Sequence, residues 1–451
     1  MTHTLGPRIV VAGTHSGVGK TTIATGLMAA FRAAETSVAA AKVGPDFIDP
    51  GYHALATGRP PRNLDPWICG VDAIGPLSAR AATGSELMVI EGVMGLFDGA
   101  VDGEPSSTAD IAALLRAPVV LVVDGSAMSA SVAALVRGFR DHRTDVDLVG
   151  VILNRVGGEH HRTLLVEALE SIDVPVLGAV GQHNELSWRD RHLGLVPVVE
   201  SSADVASSIE RLGATIARAC DLEQIRRVAE DAPRLDFAAP PEPSRVAARP
   251  VRIGVAGGRA FSFVYQDNLD SLAAAGAELV AFDPMEDERL PTALDGLIVG
   301  GGFPEVYAAA LAANTELLAN VAERVRGGLV TWAECGGLLW LARSLDNQPM
   351  GGAVQTDAHM TGRLTLGYRH ATALHTNPVV AVGDTVRGHE FHYSSATPTG
   401  DALRLASRFG ERTEGFATPT LLATYLHQHL GARPDVAARF VDACTRTSAH
   451  R

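Results

Sequence analysis

The sequence predicts an α/β protein of two domains, each a mainly parallel sheet covered by helices on both faces. Three observations carry that expectation. Short, continuous apolar runs alternate with helical stretches. A glycine-rich loop joins the first such run to a helix. A proline-rich stretch interrupts the rhythm past mid-chain, after which it restarts. Strands buried on both faces read as unbroken apolar runs, and their alternation with helices implies a parallel sheet.

In order, residues 8–13 (Arg-Ile-Val-Val-Ala-Gly) read as the first strand, residues 21–34, rich in alanine, as a helix, and residues 38–43 as a second strand. Residues 87–91, 119–124 and 148–154 are apolar runs that end in a polar side chain, with helices expected over 127–140 and 160–171. Residues 233–250 contain several prolines and no amphipathic period, which reads as a linker. The domains expected are therefore 1–232 and 251–451. In the second, strands are expected over 251–256, 279–282, 296–300 and 328–333, and helices over 269–275 and 338–345. No internal repeat is visible.

Composition narrows the function classes. The 451 residues are 46% hydrophobic and 20% charged, as in soluble globular proteins with large cores. A net charge of −13 argues against a nucleic-acid partner. No apolar run reaches the roughly 18 residues of a membrane helix, and the N-terminus lacks a signal-peptide pattern, so a cytoplasmic location is expected. No two of the four cysteines have zinc-ligand spacing. Cys69, Cys220 and Cys444 are expected to be packing residues. The chain has only two lysines, Lys20 and Lys42. Arginine replaces lysine poorly where a compact point charge must reach a phosphate.

Lys20 lies in such a place. In Gly13-Thr14-His15-Ser16-Gly17-Val18-Gly19-Lys20-Thr21-Thr22, the loop follows a strand and opens a helix, the arrangement whose backbone N–H groups cradle nucleotide phosphates. Gly13, Thr14, Gly17, Gly19, Lys20, Thr21 and Thr22 are expected at the nucleotide, with Lys20 on the β- and γ-phosphates and Thr21 on Mg²⁺. Asp46 and Asp49 follow the second strand, and Glu91 and Asp98 follow the third. Acids at strand ends beside such a loop are expected at the metal and the reacting group: Thr21, Asp46 and Glu91 as metal ligands, and Lys42, Asp49 and Asp98 in carboxylate activation. Asn154, at a later strand end, is a candidate for reading the nucleotide base. The nucleotide expected is ATP.

A second constellation lies in Trp332-Ala333-Glu334-Cys335-Gly336-Gly337, a strand-to-helix turn that would expose a cysteine nucleophile. Gly301, Gly302 and Gly336 are candidates for oxyanion-hole N–H groups. Thr424-Tyr425-Leu426-His427-Gln428-His429 offers the base.

The phosphate loop, with Thr14 at its first glycine position, resembles the dethiobiotin-synthetase branch of nucleotide-binding domains. It lacks the extra lysine of the septum-placement ATPases. The second domain resembles the triad-like class I glutamine amidotransferases, a likeness that assigns the nucleophile to Cys335 and the base to His427. Many relatives of that class carry an orienting glutamate two residues after the histidine, where this chain has His429. The whole chain resembles the cobyrinate/hydrogenobyrinate a,c-diamide synthases. Lys-Val-Gly-Pro-Asp-Phe-Ile-Asp-Pro (42–50), Glu-Gly-Val-Met-Gly-Leu-Phe-Asp-Gly (91–99), Ala-Phe-Ser-Phe-Val-Tyr-Gln-Asp-Asn (260–268) and Gly-His-Glu-Phe-His-Tyr-Ser (388–394) carry the likeness.

The resemblance implies a glutamine-hydrolysing amidoligase of cobalamin biosynthesis, with Mg²⁺ and ATP at the first domain and L-glutamine and a corrinoid polycarboxylate as substrates; a homodimer is one candidate assembly. Because the protein is net acidic, a polycarboxylate needs local positive charge, for which Arg59, Arg62 and Arg387 are candidates. A nickel-sirohydrochlorin a,c-diamide synthase, a cobyric acid synthase, and a nucleotide switch with a degenerate amidotransferase module are the alternatives. The arginine-for-lysine bias suggests a GC-rich genome and favours the metal-free ring.

Overall fold

The structure is a computed structural model that describes residues 2–60, 62–100, 103–182, 202–246 and 249–448. The chain divides into two compact units, Met1–Pro240 and Pro241–Arg451.

The strands of the first unit are β1 (Thr2–Leu5), β2 (Arg8–Gly13), β3 (Val38–Val43), β4 (Arg62–Leu64), β5 (Leu87–Glu91), β6 (Val119–Asp124), β7 (Leu148–Val156), β8 (Val176–Gly181) and β9 (Leu235–Ala238). Seven of them form one sheet in the order β4-β3-β5-β2-β6-β7-β8, with every pairing parallel. Ile9 and Val11 of β2 pack into a core with Ile23 and Leu27 of the helix Lys20–Ala33 and with Leu212 and Ile216 of the helix Ser202–Ala219. Burying each such side chain contributes about 1.5–3 kcal/mol. The register sets Lys42 of β3 directly beside Glu91 of β5, so two charges that lie far apart in sequence become cross-strand neighbours at the ligand-facing end of the sheet.

The stretch expected as a linker begins differently. Residues 235–238 form β9, which pairs antiparallel with β1, Leu235 opposite Leu5. The cause is the alternation Leu-Asp-Phe-Ala, whose Phe237 ring lies so close to Gly75 that a Cβ there would sit 2.2 Å away.

The second unit contains β10 (Val251–Ala256), β11 (Ala277–Phe282), β12 (Gly296–Val299), β13 (Val330–Glu334), β14 (Ser344–Leu345), β15 (Gln348–Pro349), β16 (Asp357–Ala373), β17 (Thr385–Thr397), β18 (Leu403–Ser407), β19 (Gly410–Glu414), β20 (Phe416–Thr418) and β21 (Leu421–Thr424). One sheet runs β11-β10-β12-β13-β21-β20 and is parallel except for β20. Its strands β12, β13 and β21 are buried on both faces. Leu297 and Val299 of β12 enter one core with Trp340, whereas Ile298 between them enters another with Trp332 and Phe440. A second, mostly antiparallel sheet of β15-β14-β16-β18-β19, with β17 on β16, was not expected from the sequence. Its long strands β16 and β17 mix Thr, His, Arg and Gly with few large apolar residues, so they lack the continuous apolar signal of the parallel strands. Among the described residues no helix is long and apolar enough to cross a membrane.

Candidate active sites

At the carboxyl end of β2 the chain turns through Gly17 and Gly19, which adopt left-handed φ of 82° and 100°, before the helix starts at Lys20. Gly19 has no room for a side chain, since a Cβ would lie 2.3 Å from the Asn154 amide nitrogen. Asn154 donates to the Val18 carbonyl at 2.9 Å, and Arg155 donates to the Gly17 carbonyl at the same distance. Asn154 therefore props the loop from behind. Thr14 is tied to β6 by its N–H to the Val122 carbonyl, and Gly13 accepts from the Leu96 N–H at 2.8 Å. Thr22 is half-buried on the first helical turn. The Lys20 ammonium donates to the His15 carbonyl at 3.2 Å. Burial, and next the Lys42 charge, lower its pKa to about 8 against the opposing pull of Glu91, Asp49 and Asp98.

Two acids meet Thr21. Its hydroxyl lies 3.1 Å from Asp49 Oδ2 and hydrogen-bonds Glu91 Oε1. Lys42 Nζ contacts the same two oxygens, at 2.7 Å from Asp49 and 2.8 Å from Glu91, and the Gly92 carbonyl at 3.0 Å. His53 donates to the other Glu91 oxygen at 2.6 Å. Asp49 and His53 are four residues apart on the helix Asp49–Thr57, and that spacing aims both at Glu91. Burial and the Asp49 charge act to raise the Glu91 pKa, but Lys42 and His53 outweigh them and hold it below the usual carboxylate range.

Asp46, expected at the metal, is placed otherwise. Its Oδ1 accepts from the backbone N–H groups of Ile48 and Asp49 at 2.7 and 3.1 Å, closing the turn before the helix. Desolvation first, and then the neighbouring Asp49 charge, push it up to about 6. Asp98 is exposed and accepts from the Gly95 N–H at 2.8 Å, which shapes its own loop. Asp49 thus stands where Asp46 was expected, and His53 was missed. Arg59 donates to the carbonyls of Thr83 and Gly84.

Among the described residues, no three His, Cys, Asp or Glu side chains form a metal-holding group. The Thr21–Asp49–Glu91 oxygens still fit Mg²⁺, which is usually held by one or two carboxylates plus substrate phosphates.

The second site is made mostly by backbone. β13 ends at Glu334, and Cys335 follows with φ 49° and ψ −101°, a conformation costing about 1–3 kcal/mol that the surrounding fold must impose. The Cys335 N–H is fixed to the Thr424 carbonyl at 2.7 Å, and its Sγ lies 3.8 Å from the Phe391 carbonyl. The following glycines sit against other backbone: a Cβ at Gly337 would be 2.2 Å from the Val299 carbonyl oxygen, and one at Gly336 would be 3.0 Å from the Gly302 nitrogen. The Gly302 nitrogen therefore lies beside Gly336. Gly301 does not join them as a donor, because its N–H is committed to the Phe263 carbonyl at 3.1 Å. Its missing side chain instead leaves space for His427, whose Cε1 would be 2.5 Å from a Cβ there.

His427 is buried and interacts electrostatically with Cys335 and Glu334. Its Nδ1 lies 3.8 Å from Glu334 Oε2, while Glu334 Oε1 accepts from the Gln428 N–H at 3.1 Å. Burial alone would disfavour the imidazolium, but the proximity of Cys335 and Glu334 outweighs it and raises the His427 pKa to about 10. His429 is engaged elsewhere, accepting from the Gly431 N–H at 3.1 Å and facing Asp267 at 3.6 Å. Residues 260–268 hold the loops that carry Gly301 and His427. Phe263 pairs with Gly301, and the Asn268 side chain clamps the histidine loop through the Gln428 carbonyl and the Leu430 N–H, both at 2.7 Å. In residues 388–394, His389 exchanges backbone bonds with His427, and the His392 ring stacks on Tyr425 at 3.9 Å.

Comparison with known proteins agrees with both halves. Residues 9–195 match the family described as the CobQ/CobB/MinD/ParA nucleotide binding domain, and residues 252–435 match the CobB/CobQ-like glutamine amidotransferase domain. The chain is 47% identical to the hydrogenobyrinate a,c-diamide synthase of Streptomyces coelicolor, covering 98% of each chain. It is 44% identical to that of Mycobacterium tuberculosis over 96% of this chain and 97% of the relative. The chain belongs to the cobyrinate/hydrogenobyrinate a,c-diamide synthase family. The cobyrinate a,c-diamide synthase of a Synechococcus species is 39% identical over 98% of this chain and 99% of that one.

Membership of this a,c-diamide synthase family makes the chain a glutamine-dependent amidoligase with a nucleotide-binding domain. The four long motifs that suggested the family each have a structural role. Residues 42–50 and 91–99 build the Thr21 cluster, and residues 260–268 and 388–394 build the surroundings of Cys335.

Proposed function

We propose that the protein converts the a- and c-acetate carboxylates of hydrogenobyrinate to amides, using ATP and the amide nitrogen of glutamine. The observation that carries this reading is the presence, on one chain, of a strained Cys335 in electrostatic contact with His427 and of a Thr21–Asp49–Glu91 cluster beside a phosphate loop. Hydrogenobyrinate is favoured over cobyrinate because the relatives named for it are 44–47% identical, against 39–40% for those named for cobyrinate.

Cys335 sulfur attacks the carboxamide carbon of glutamine. The N–H groups of Gly302 and Gly336 take the developing oxyanion, and His427 passes a proton to the departing ammonia. Water, deprotonated by His427, then cleaves the thioester to glutamate and restores the thiol. In the other unit, backbone N–H groups of residues 14–19 and the Lys20 ammonium bind the phosphates. A substrate carboxylate oxygen attacks the γ-phosphorus, ADP leaves, and an acyl phosphate results. Ammonia attacks the acyl carbon, expels phosphate and gives the amide. Thr21, Asp49 and Glu91 would hold Mg²⁺, which neutralises phosphate charge when bound. Activation is required because a free carboxylate is a poor electrophile.

The test offers hydrogenobyrinate, cobyrinate and nickel-sirohydrochlorin side by side with ATP and glutamine. Hydrogenobyrinate should give a diamide with two ADP formed per ring and the highest kcat/KM. Preference for the nickel ring, or ATP turnover without ring amidation, would overturn the reading.

A further inference from the structure

Lys42 is one of two lysines in the chain and is almost fully buried. An ammonium has three donors. Those of Lys42 are matched by three oxygens, on Asp49, Glu91 and Gly92, at 2.7, 2.8 and 3.0 Å. In this arrangement it has no donor left for a phosphate or a substrate carboxylate. The two carboxylate oxygens it holds, Asp49 Oδ2 and Glu91 Oε1, are also the two that the Thr21 hydroxyl touches. The oxygen set that suits a divalent cation is thus already neutralised by a charge belonging to the chain.

We propose that Lys42 is a tethered counter-cation that competes with the divalent metal for Asp49 and Glu91 and is released when the metal binds. The inference rests on the reading of Thr21, Asp49 and Glu91 as the metal ligands.

Its physics is simple. A buried carboxylate pair without a cation is costly, so an ammonium stabilises the site when no metal is present. A doubly charged ion at the same oxygens weakens the hold on the ammonium and repels it. The displaced ammonium cannot remain buried and unpaired. It needs another anion, which the nucleotide phosphates or the substrate carboxylate supply. Metal alone should therefore bind weakly, and metal with nucleotide much better. Lys42 then becomes available to the reacting anion only once the metal is in place.

The probe is Mn²⁺ binding to the full-length protein without nucleotide, followed by electron paramagnetic resonance. Lys42→Met and Lys42→Gln remove the competing charge. Both should bind Mn²⁺ at least about tenfold more tightly than wild type, within the 10–100-fold range by which groups around a metal site change affinity. Lys42→Gln keeps two N–H donors for the carboxylates, so it carries the comparison if Lys42→Met fails to fold. Equal or weaker Mn²⁺ binding by the folded variant overturns the proposal. Asp49→Asn and Glu91→Gln, measured with Mn²⁺ and ADP, separate the two readings. If they bind like wild type, the metal-ligand assignment fails. If they lose binding while Lys42→Gln matches wild type, only the competition fails.

Discussion

In the first unit the candidate site is built of polar and charged side chains that meet because β5 lies between β2 and β3: Thr21 beyond β2, Lys42 on β3 and Glu91 ending β5. In the second unit the reacting sulfur owes its position to backbone. Cys335 is held at a positive φ by a carbonyl on β21 and is followed by glycines that touch other main chain. A site of the first kind should respond to changes of charge that leave shape intact. A site of the second kind should respond to a single added methyl group. The two units can thus be broken separately.

Glu91→Gln should have the largest effect. It keeps the shape but removes a charge that Lys42, Thr21 and His53 all contact. Amidation with glutamine or with ammonia should fall by about 10²–10³-fold, the scale seen when a key electrostatic group is lost. Glutaminase activity should persist, and a parallel loss of it would break the contrast. Gly337→Ala should act in the opposite sense. Its Cβ would meet the Val299 carbonyl at 2.2 Å, so stability should fall by about 1–3 kcal/mol in urea unfolding. Glutaminase should be lost, while ammonia-dependent amidation survives in the folded fraction.

Two histidine–carboxylate pairs lie close together in the second unit and sharpen the comparison further. Glu334 faces His427, the candidate base for Cys335, whereas Asp267 faces His429. Glu334→Gln should lower glutaminase kcat by about tenfold or more, in line with groups that orient a general base. Asp267→Asn should leave kcat within about twofold and mainly lower the unfolding midpoint, as expected for a packing contact. Reversed effects would assign the orienting carboxylate to Asp267. The smallest effect is expected at Asp46. Asp46→Asn keeps the oxygen that accepts from Ile48 and Asp49, so stability should change by less than about 1 kcal/mol. Mn²⁺–ADP affinity should stay close to wild type, whereas a loss as large as that expected for Asp49→Asn would return Asp46 to the metal.

The parallel strands were legible because burial on both faces leaves an unbroken apolar run, as in residues 8–13 and 119–124. The phosphate loop and the cysteine elbow were legible because each requires glycines at set positions beside one reactive residue. The choice between Asp46 and Asp49 was harder, since both lie in one short segment. The helix start at Asp49 sets that carboxylate against Thr21, and the four-residue spacing to His53 was the available signal. Two features had no local signature. Gly301 loses its donor to Phe263, and the β16–β17 sheet forms by pairings whose register shifts between Met360 and Thr365. Glu334 had no signature of another kind: the carboxylate that faces His427 stands immediately before Cys335 rather than downstream of the histidine.

The most direct test follows nitrogen. Wild type and Cys335→Ala would be supplied with ATP, hydrogenobyrinate and glutamine labelled with ¹⁵N at the side-chain amide, then with ammonium in its place. Wild type should carry the label into both new amides. Cys335→Ala should transfer none from glutamine, yet form the same diamide from ammonium at a rate near wild type. Label transfer without the thiol, or no amidation from ammonium by the folded variant, would contradict a division of labour in which Cys335 releases the nitrogen and the phosphate-loop unit activates its acceptor.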